Sequence, residues 1–129
     1  MKSSRSFPPD VASIRAARQF VLNALGGLTS ERRDAIAVMV SELAMNAVQY
    51  ARTPFVVRTQ VDGDTVRVEV TDTASALPHA QPLPPPTSQH GRGLFLVSEL
   101  ADQWGVSRKP DSAGKTVWFQ ATLTSARQG

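Results

Sequence analysis

The segment from Thr29 to Ala51 constrains the fold most, because it is predicted to be one long helix whose apolar residues recur at helical spacing from Ile36 to Val48. Thr29 or Ser30 can cap the start of this helix, which extends to about Tyr50 or Ala51 before Thr53-Pro54 breaks the pattern. The apolar residues cover more than one stripe of the helix, which predicts that it is largely buried. They are Ile36, Met39, Val40, Leu43, Ala44, Ala47 and Val48.

A second, amphipathic helix is predicted earlier in the chain, from Val11 to Leu25. Asp10 can cap its first turn, and Gly26-Gly27 ends it. Before Asp10, the segment Phe7-Pro8-Pro9 indicates a short extended stretch, since proline stops a strand.

A β-hairpin is predicted after the buried helix. The segments Phe55 to Val61 and Thr65 to Thr71 are rich in β-branched residues, and Asp62-Gly63-Asp64 between them is typical of a hairpin turn. Alternation in the second segment places its valines on one face of the sheet, with Arg67 and Glu69 on the other.

Residues 72–90 have no usable periodicity and contain five prolines, which predicts a loop longer than compact domains usually have. Such loops are commonly lids, binding loops or disordered segments. The remaining predictions are a helix from Gly91 to Ala101, strands from Trp104 to Ser107 and from Thr116 to Leu123, a turn from Lys109 to Gly114, and a flexible tail at 124–129.

The predicted order is strand, helix, helix, hairpin, loop, helix, hairpin. Strands joined by tight turns are antiparallel, and the helices must cover one face of the sheet. This order predicts an α+β fold, a two-layer α/β sandwich with a mixed, mostly antiparallel sheet. The 129 residues fit one domain spanning 1–129.

Composition excludes several classes of site. The chain has no cysteine and two histidines, which rules out disulfides, thiolate metal sites and a histidine metal cluster. The net charge of +3 comes from scattered basic residues, and no apolar run is long enough to span a membrane. The predicted location is therefore the cytoplasm, with no direct nucleic-acid or membrane partner.

Four short features carry chemistry in combination. Glu42 and Asn46 lie four residues apart on the buried helix, so both can reach one ligand. Asp72 ends a valine-rich strand, Gly91-Arg92-Gly93 opens a helix where a phosphate could approach, and Gly114-Lys115-Thr116 leads into the last strand. Each feature also has a plain structural interpretation: a solvated helix edge, a strand-end turn, a hinge and a hairpin turn.

Taken in this order, the features resemble the GHKL ATPase superfamily, which shares the Bergerat fold, and most closely the stand-alone anti-sigma-factor serine kinases of bacteria. The resemblance covers the chain from about Phe7 to Leu123. The family's N-box matches Glu42-Leu43-Ala44-Met45-Asn46-Ala47. Its first glycine box begins at Asp72, its second matches Gly91-Arg92-Gly93-Leu94, and its third matches Gly114-Lys115-Thr116-Val117. Its ATP lid matches residues 72–90.

The resemblance implies a role for each matched residue. Asn46 would coordinate the Mg²⁺ that bridges the phosphates, and Glu42 would be the catalytic base. Asp72 would accept a hydrogen bond from the adenine amino group, with Thr116 supporting that contact. The second glycine box, made of Gly91, Arg92, Gly93 and Leu94, would bind the phosphates.

By the same resemblance, the chain would use ATP and Mg²⁺ to phosphorylate a serine or threonine of an anti-sigma-factor antagonist, and so regulate transcription. Its partners would be a sigma factor, the antagonist or both. Family members often pair through the N-terminal region of the sheet, which suggests a homodimer.

Two alternatives remain open at this point. Ala74 and Ala76 stand where the family has glycines, and this favours a regulatory module that holds a sigma factor or other partner with weak or no nucleotide binding. The other alternative is the catalytic domain of a histidine kinase. A glutamate one turn before Asn46, and the lack of a phospho-acceptor helix before Val11, argue against it.

Overall fold

The computed structural model describes residues 1–72, 96–108 and 114–123. Two helices and five strands account for most of these residues. They are β1 (Lys2–Phe7), α1 (Ala12–Ala24), α2 (Ser30–Asn46), β2 (Phe55–Asp62), β3 (Thr65–Asp72), β4 (Gln103–Arg108) and β5 (Lys115–Thr122). Residues 96–100 are also helical.

The strands form one sheet in the order β1-β2-β3-β5-β4, and all four pairings are antiparallel. Both α1 and α2 pack on the same side of it, with α1 contacting β1 and β2, and α2 contacting β3 and β5. The predicted two-layer sandwich is therefore confirmed, although the sheet was expected to be mixed. The order places β5 between β3 and β4. The hairpin of β4 and β5 therefore joins the hairpin of β2 and β3 through the pairing of β5 with β3.

Alternation decides which strand residues enter the core. The valines of β3 are buried, whereas Arg67 and Glu69 are partly exposed on the opposite face, as predicted. Helix α2 contributes a broad buried surface, which confirms its predicted burial. Its buried apolar residues are Ile36, Met39, Val40, Leu43 and Ala44.

Both predicted helix starts are confirmed by their hydrogen bonds. The Asp10 carboxylate accepts from the backbone N–H of Ser13 at 3.2 Å, and the Thr29 hydroxyl accepts from the N–H of Arg32 at 3.2 Å. These bonds satisfy N–H groups that have no partner inside the helix.

The end of α2 differs from the sequence prediction. The α-helix was expected to continue to Tyr50 or Ala51, but it ends at Asn46 and is followed by a π-helical turn at Ala47–Ala51. Here the N–H of Arg52 donates to the Ala47 carbonyl, five residues back, and Arg52 takes a left-handed φ of 58°. Turns of this type are rare and occur often beside functional sites.

Several predictions concern residues outside the described ranges. These are the lid after Asp72, Ala74 and Ala76, the glycine box at 91–94, most of the turn at 109–114, and the tail at 124–129. Within the described ranges, no helix is long and apolar enough to cross a membrane.

Gly105 on β4 makes room for Trp118, its partner on β5. A Cβ added at Gly105 would lie 2.9 Å from the Trp118 ring, which also packs under the Arg67 guanidinium at 4.0 Å. We expect Gly105→Ala to lower the free energy of unfolding by about 1–3 kcal/mol, because the indole must move. Urea denaturation measures this, with Gly26→Ala as control, since a Cβ there meets nothing within 4 Å. Equal stability of the two variants would contradict the close packing.

Thr59 carries a hydroxyl that is buried on β2 and has no hydrogen-bond partner among the described residues. An unsatisfied buried hydroxyl costs about 1–3 kcal/mol, so Thr59→Val should raise the free energy of unfolding by about 1 kcal/mol. Thr71→Val is the control and should lower the free energy of unfolding, because the Thr71 hydroxyl is hydrogen bonded to that of Thr116 and this bond would be lost. A loss of stability in Thr59→Val would show that the hydroxyl is satisfied.

Candidate functional site

Glu42 and Asn46 lie in the last two turns of α2, as their spacing predicts. Asn46 is only 5% exposed, so the plain interpretation of a solvated helix edge is wrong for this residue. Glu42 is partly exposed one turn earlier on the same face. The pair therefore brings a buried amide and an accessible carboxylate to one part of the molecule.

The Glu42 carboxylate is perturbed by its surroundings. Burial raises its pKa above the usual 4.5, because a charged carboxylate loses hydration there. The side chain lines an open depression of about 370 Å³ between α1 and α2, together with Arg18, Asp34, Ala37, Val38 and Ser41. A raised pKa in a carboxylate that solvent can reach suits a group that takes up a proton.

Asp72 occupies the end of β3 and is 4% exposed. It follows the buried valines of β3 in alternation, so its carboxylate faces the helix layer. Its Oδ2 accepts a hydrogen bond from Lys115 Nζ at 2.7 Å, across the junction of β3 and β5. Lys115 was placed in the third glycine box from the sequence, without a role. Its contact with Asp72 follows from the register of β3 and β5.

Thr116 pairs directly with Thr71 in the register of β3 and β5. Its hydroxyl lies 2.8 Å from the Thr71 hydroxyl. Since residues alternate between faces, this hydroxyl pair lies on the face of the sheet opposite Lys115 and Asp72. Thr116 thus follows Lys115 on β5, and its hydroxyl faces away from the Asp72 carboxylate whose adenine contact it was predicted to support.

The chain brings the end of α2 and the end of β3 to the same region. The π-helical turn that follows Asn46 contacts β3, and the next strand begins at Phe55, which pairs with Asp72. Asn46 and Asp72 therefore belong to elements that contact each other, Lys115 is hydrogen bonded to Asp72, and Glu42 lies one turn before Asn46 on α2. Gly91, Arg92, Gly93 and Leu94 lie outside the described residues.

The donor set is consistent with magnesium held partly by a phosphate. No group of three or more His, Cys, Asp or Glu side chains converges among the described residues. Mg²⁺ prefers oxygen ligands and keeps several waters, so the Asn46 amide oxygen with phosphate oxygens and water is a sufficient set.

A groove of about 240 Å³ lies on the opposite face of the sheet, lined by residues that include Lys2, Arg58, Arg67 and Glu69. Asp72 faces the helices on the other side. The groove is therefore separate from the candidate site.

Comparison with protein families shows to which family this chain belongs. The profile of the histidine kinase-like ATPase domain matches residues 7–121, which is most of the chain and includes α2, Asp72 and Lys115. The chain belongs to the histidine kinase-like ATPase domain family. The predicted resemblance to the GHKL superfamily is thereby confirmed. A comparison with curated proteins finds no match.

Two solved structures share the fold of this ATPase domain. A structure of the RsbU and RsbW domains of Rv1364c from Mycobacterium tuberculosis superposes with a TM-score of 0.71 at 21% identity, over 95% of this chain and 32% of that one. The histidine kinase domain of the blue-light activated histidine kinase EL346 from Erythrobacter litoralis superposes with a TM-score of 0.57 at 23% identity, over 87% of this chain and 60% of that one. The chain thus spans about a third of the first structure and three fifths of the second.

Proposed function

We propose that this ATPase domain is a serine/threonine protein kinase of the anti-sigma-factor type. It would use ATP and Mg²⁺ in the cytoplasm to phosphorylate an anti-sigma-factor antagonist and so regulate transcription. A sigma factor would be its second partner. The observation that carries the proposal is Glu42, a partly buried carboxylate of raised pKa, one turn from the buried Asn46.

Glu42 would act as the general base. It would accept the proton of a serine or threonine hydroxyl as that oxygen forms a bond to the γ-phosphorus, while the bond to the bridging oxygen breaks and ADP leaves. The open depression beside Glu42 gives a protein segment access to the carboxylate. A histidine acceptor has no hydroxyl proton to remove, so a base at this position favours a hydroxyl substrate.

Asn46 and Asp72 would hold the nucleotide at its two ends. The Asn46 amide oxygen would bind Mg²⁺, which neutralises phosphate charge during transfer. Asp72, buried at the end of β3, would accept a hydrogen bond from the adenine amino group, and Thr116 would support that strand end. The glycine box at 91–94 would contribute phosphate contacts, as the resemblance implies.

The fold comparison supports the architecture on which this proposal rests. The match to the structure containing an RsbW domain covers more of this chain, at a higher TM-score, than the match to the histidine kinase domain. Both identities lie below 25%, so the comparison supports the architecture, and the chemistry rests on Glu42, Asn46 and Asp72.

The test combines binding with phosphotransfer. Calorimetric titration with ATP, with and without Mg²⁺, should show binding that strengthens with the metal. Incubation with labelled ATP, Mg²⁺ and candidate antagonist proteins should then label serine or threonine on the antagonist. Binding without transfer to any candidate would favour a regulatory module, and the absence of nucleotide binding would refute the proposal.

A further inference from the structure

The contact between Lys115 and Asp72 joins the first residue of β5 to the last residue of β3. Nζ and Oδ2 are 2.7 Å apart, and the two side chains are 23% and 4% exposed. Both side chains lie on the helix side of the sheet, since their neighbours Thr116 and Thr71 pair on the other side. The site therefore presents an ammonium beside a carboxylate, and the ammonium is the more accessible of the two.

Both groups can make hydrogen bonds beyond the one that joins them. An ammonium has three N–H donors, and a carboxylate accepts about four hydrogen bonds in total. A planar ligand edge across these two strand ends would thus meet an acceptor and a donor side by side. Such a ligand would fit best if its hydrogen-bond donor faced the Asp72 carboxylate and its acceptor faced the Lys115 ammonium.

Adenine has such an edge, with its amino group as donor next to a ring nitrogen as acceptor. We propose that Lys115 is a base-specificity residue that donates to this ring nitrogen while Asp72 accepts from the amino group. This inference rests on the proposed ATP binding and extends it. Guanine presents a carbonyl and a ring N–H in the same places, so an acceptor would face Asp72 and a donor would face Lys115. Both contacts would then be lost.

The test removes the ring nitrogen from the ligand and the ammonium from the protein, separately and together. ATP and 1-deaza-ATP, in which a C–H replaces the ring nitrogen, are titrated with Mg²⁺ into the full chain and into Lys115→Met. The wild type should bind ATP roughly tenfold more tightly than the deaza analogue, as expected for one hydrogen bond to a charged group. Lys115→Met should bind the two equally, with ATP affinity lowered roughly tenfold.

Further variants separate the hydrogen bond from general damage. Lys115→Arg keeps a charged donor and should retain part of the discrimination, and Lys2→Met makes the same change on the far face of the sheet. Lys115→Val replaces Lys115→Met if the latter does not fold, because a β-branched residue suits a strand and valine also lacks a hydrogen-bond donor. Thermal unfolding of each variant establishes that it is folded at the titration temperature.

Three results would overturn the assignment of Lys115. These are equal binding of ATP and 1-deaza-ATP by the wild type, an unchanged ratio in Lys115→Met, and tighter ATP binding in Lys115→Met. The last would show that Lys115 competes with the nucleotide for Asp72. In all three cases ATP still binds, so the proposed function stands, whereas a wild type that binds neither nucleotide refutes both.

Discussion

Replacing Glu42 by glutamine is expected to lower the rate of phosphotransfer by about 10²- to 10⁴-fold, the usual contribution of a general base. ATP affinity should stay nearly unchanged, because glutamine keeps the shape of the side chain and Glu42 is not placed against the base or the metal. The measurement is single-turnover transfer of labelled phosphate to the antagonist, together with calorimetric ATP binding. Glu31→Gln makes the same change at an exposed position of α2 and should leave the rate unaltered.

The pH dependence of the rate gives an independent check on Glu42. A general base works in its deprotonated form, so the rate should fall as pH drops through the pKa of Glu42. Because burial raises that pKa above 4.5, the fall should begin at a higher pH than an ordinary carboxylate would give. A variant Glu42→Gln with wild-type rate, or a rate independent of pH on the acid side, would exclude Glu42 as the base.

The same shift predicts how Glu42 affects stability. Because the pKa of Glu42 is raised in the folded state, the folded protein favours the protonated carboxyl group. The ionised carboxylate therefore destabilises the fold once the pH rises above the pKa that Glu42 has in the unfolded chain. Glu42→Gln should therefore be more stable than the wild type at neutral pH, with the difference shrinking towards pH 4. This distinguishes loss of the base from loss of the fold.

Replacing Asp72 by asparagine is expected to weaken ATP binding by roughly 10- to 100-fold, because a hydrogen bond to a charged group is worth about 1.5–3 kcal/mol. The substitution removes the charged acceptor proposed for the adenine amino group. It also removes the ion pair to Lys115, which leaves the ammonium without this partner. Calorimetric titration with ATP and Mg²⁺ measures the affinity.

Asp62→Asn is the matched control for Asp72, since Asp62 is an exposed aspartate at the end of β2. It should bind ATP like the wild type. The unfolding temperature of Asp72→Asn must also be measured, because the buried ion pair contributes to the fold. A folded Asp72→Asn variant with unchanged ATP affinity would place the adenine amino group elsewhere.

The sequence predicted the elements well where their signals are local. The caps at Asp10 and Thr29 and the turn at Asp62-Gly63-Asp64 act within a few residues, so they are readable without the fold. The π-helical turn after Asn46 was not predicted, because residues 47–51 keep a helical apolar pattern. Its extra residue depends on how the helix end meets β3.

What the sequence alone determined is the family and the pair at its centre: Glu42 and Asn46 share a helix face because four residues make about one turn. Only the tertiary structure decided what surrounds Asp72. Lys115 is 43 residues away along the chain and reaches the carboxylate through the register of β3 and β5. That register is fixed by the burial of one face of the sheet, since a shift by one residue would turn every side chain to the other face.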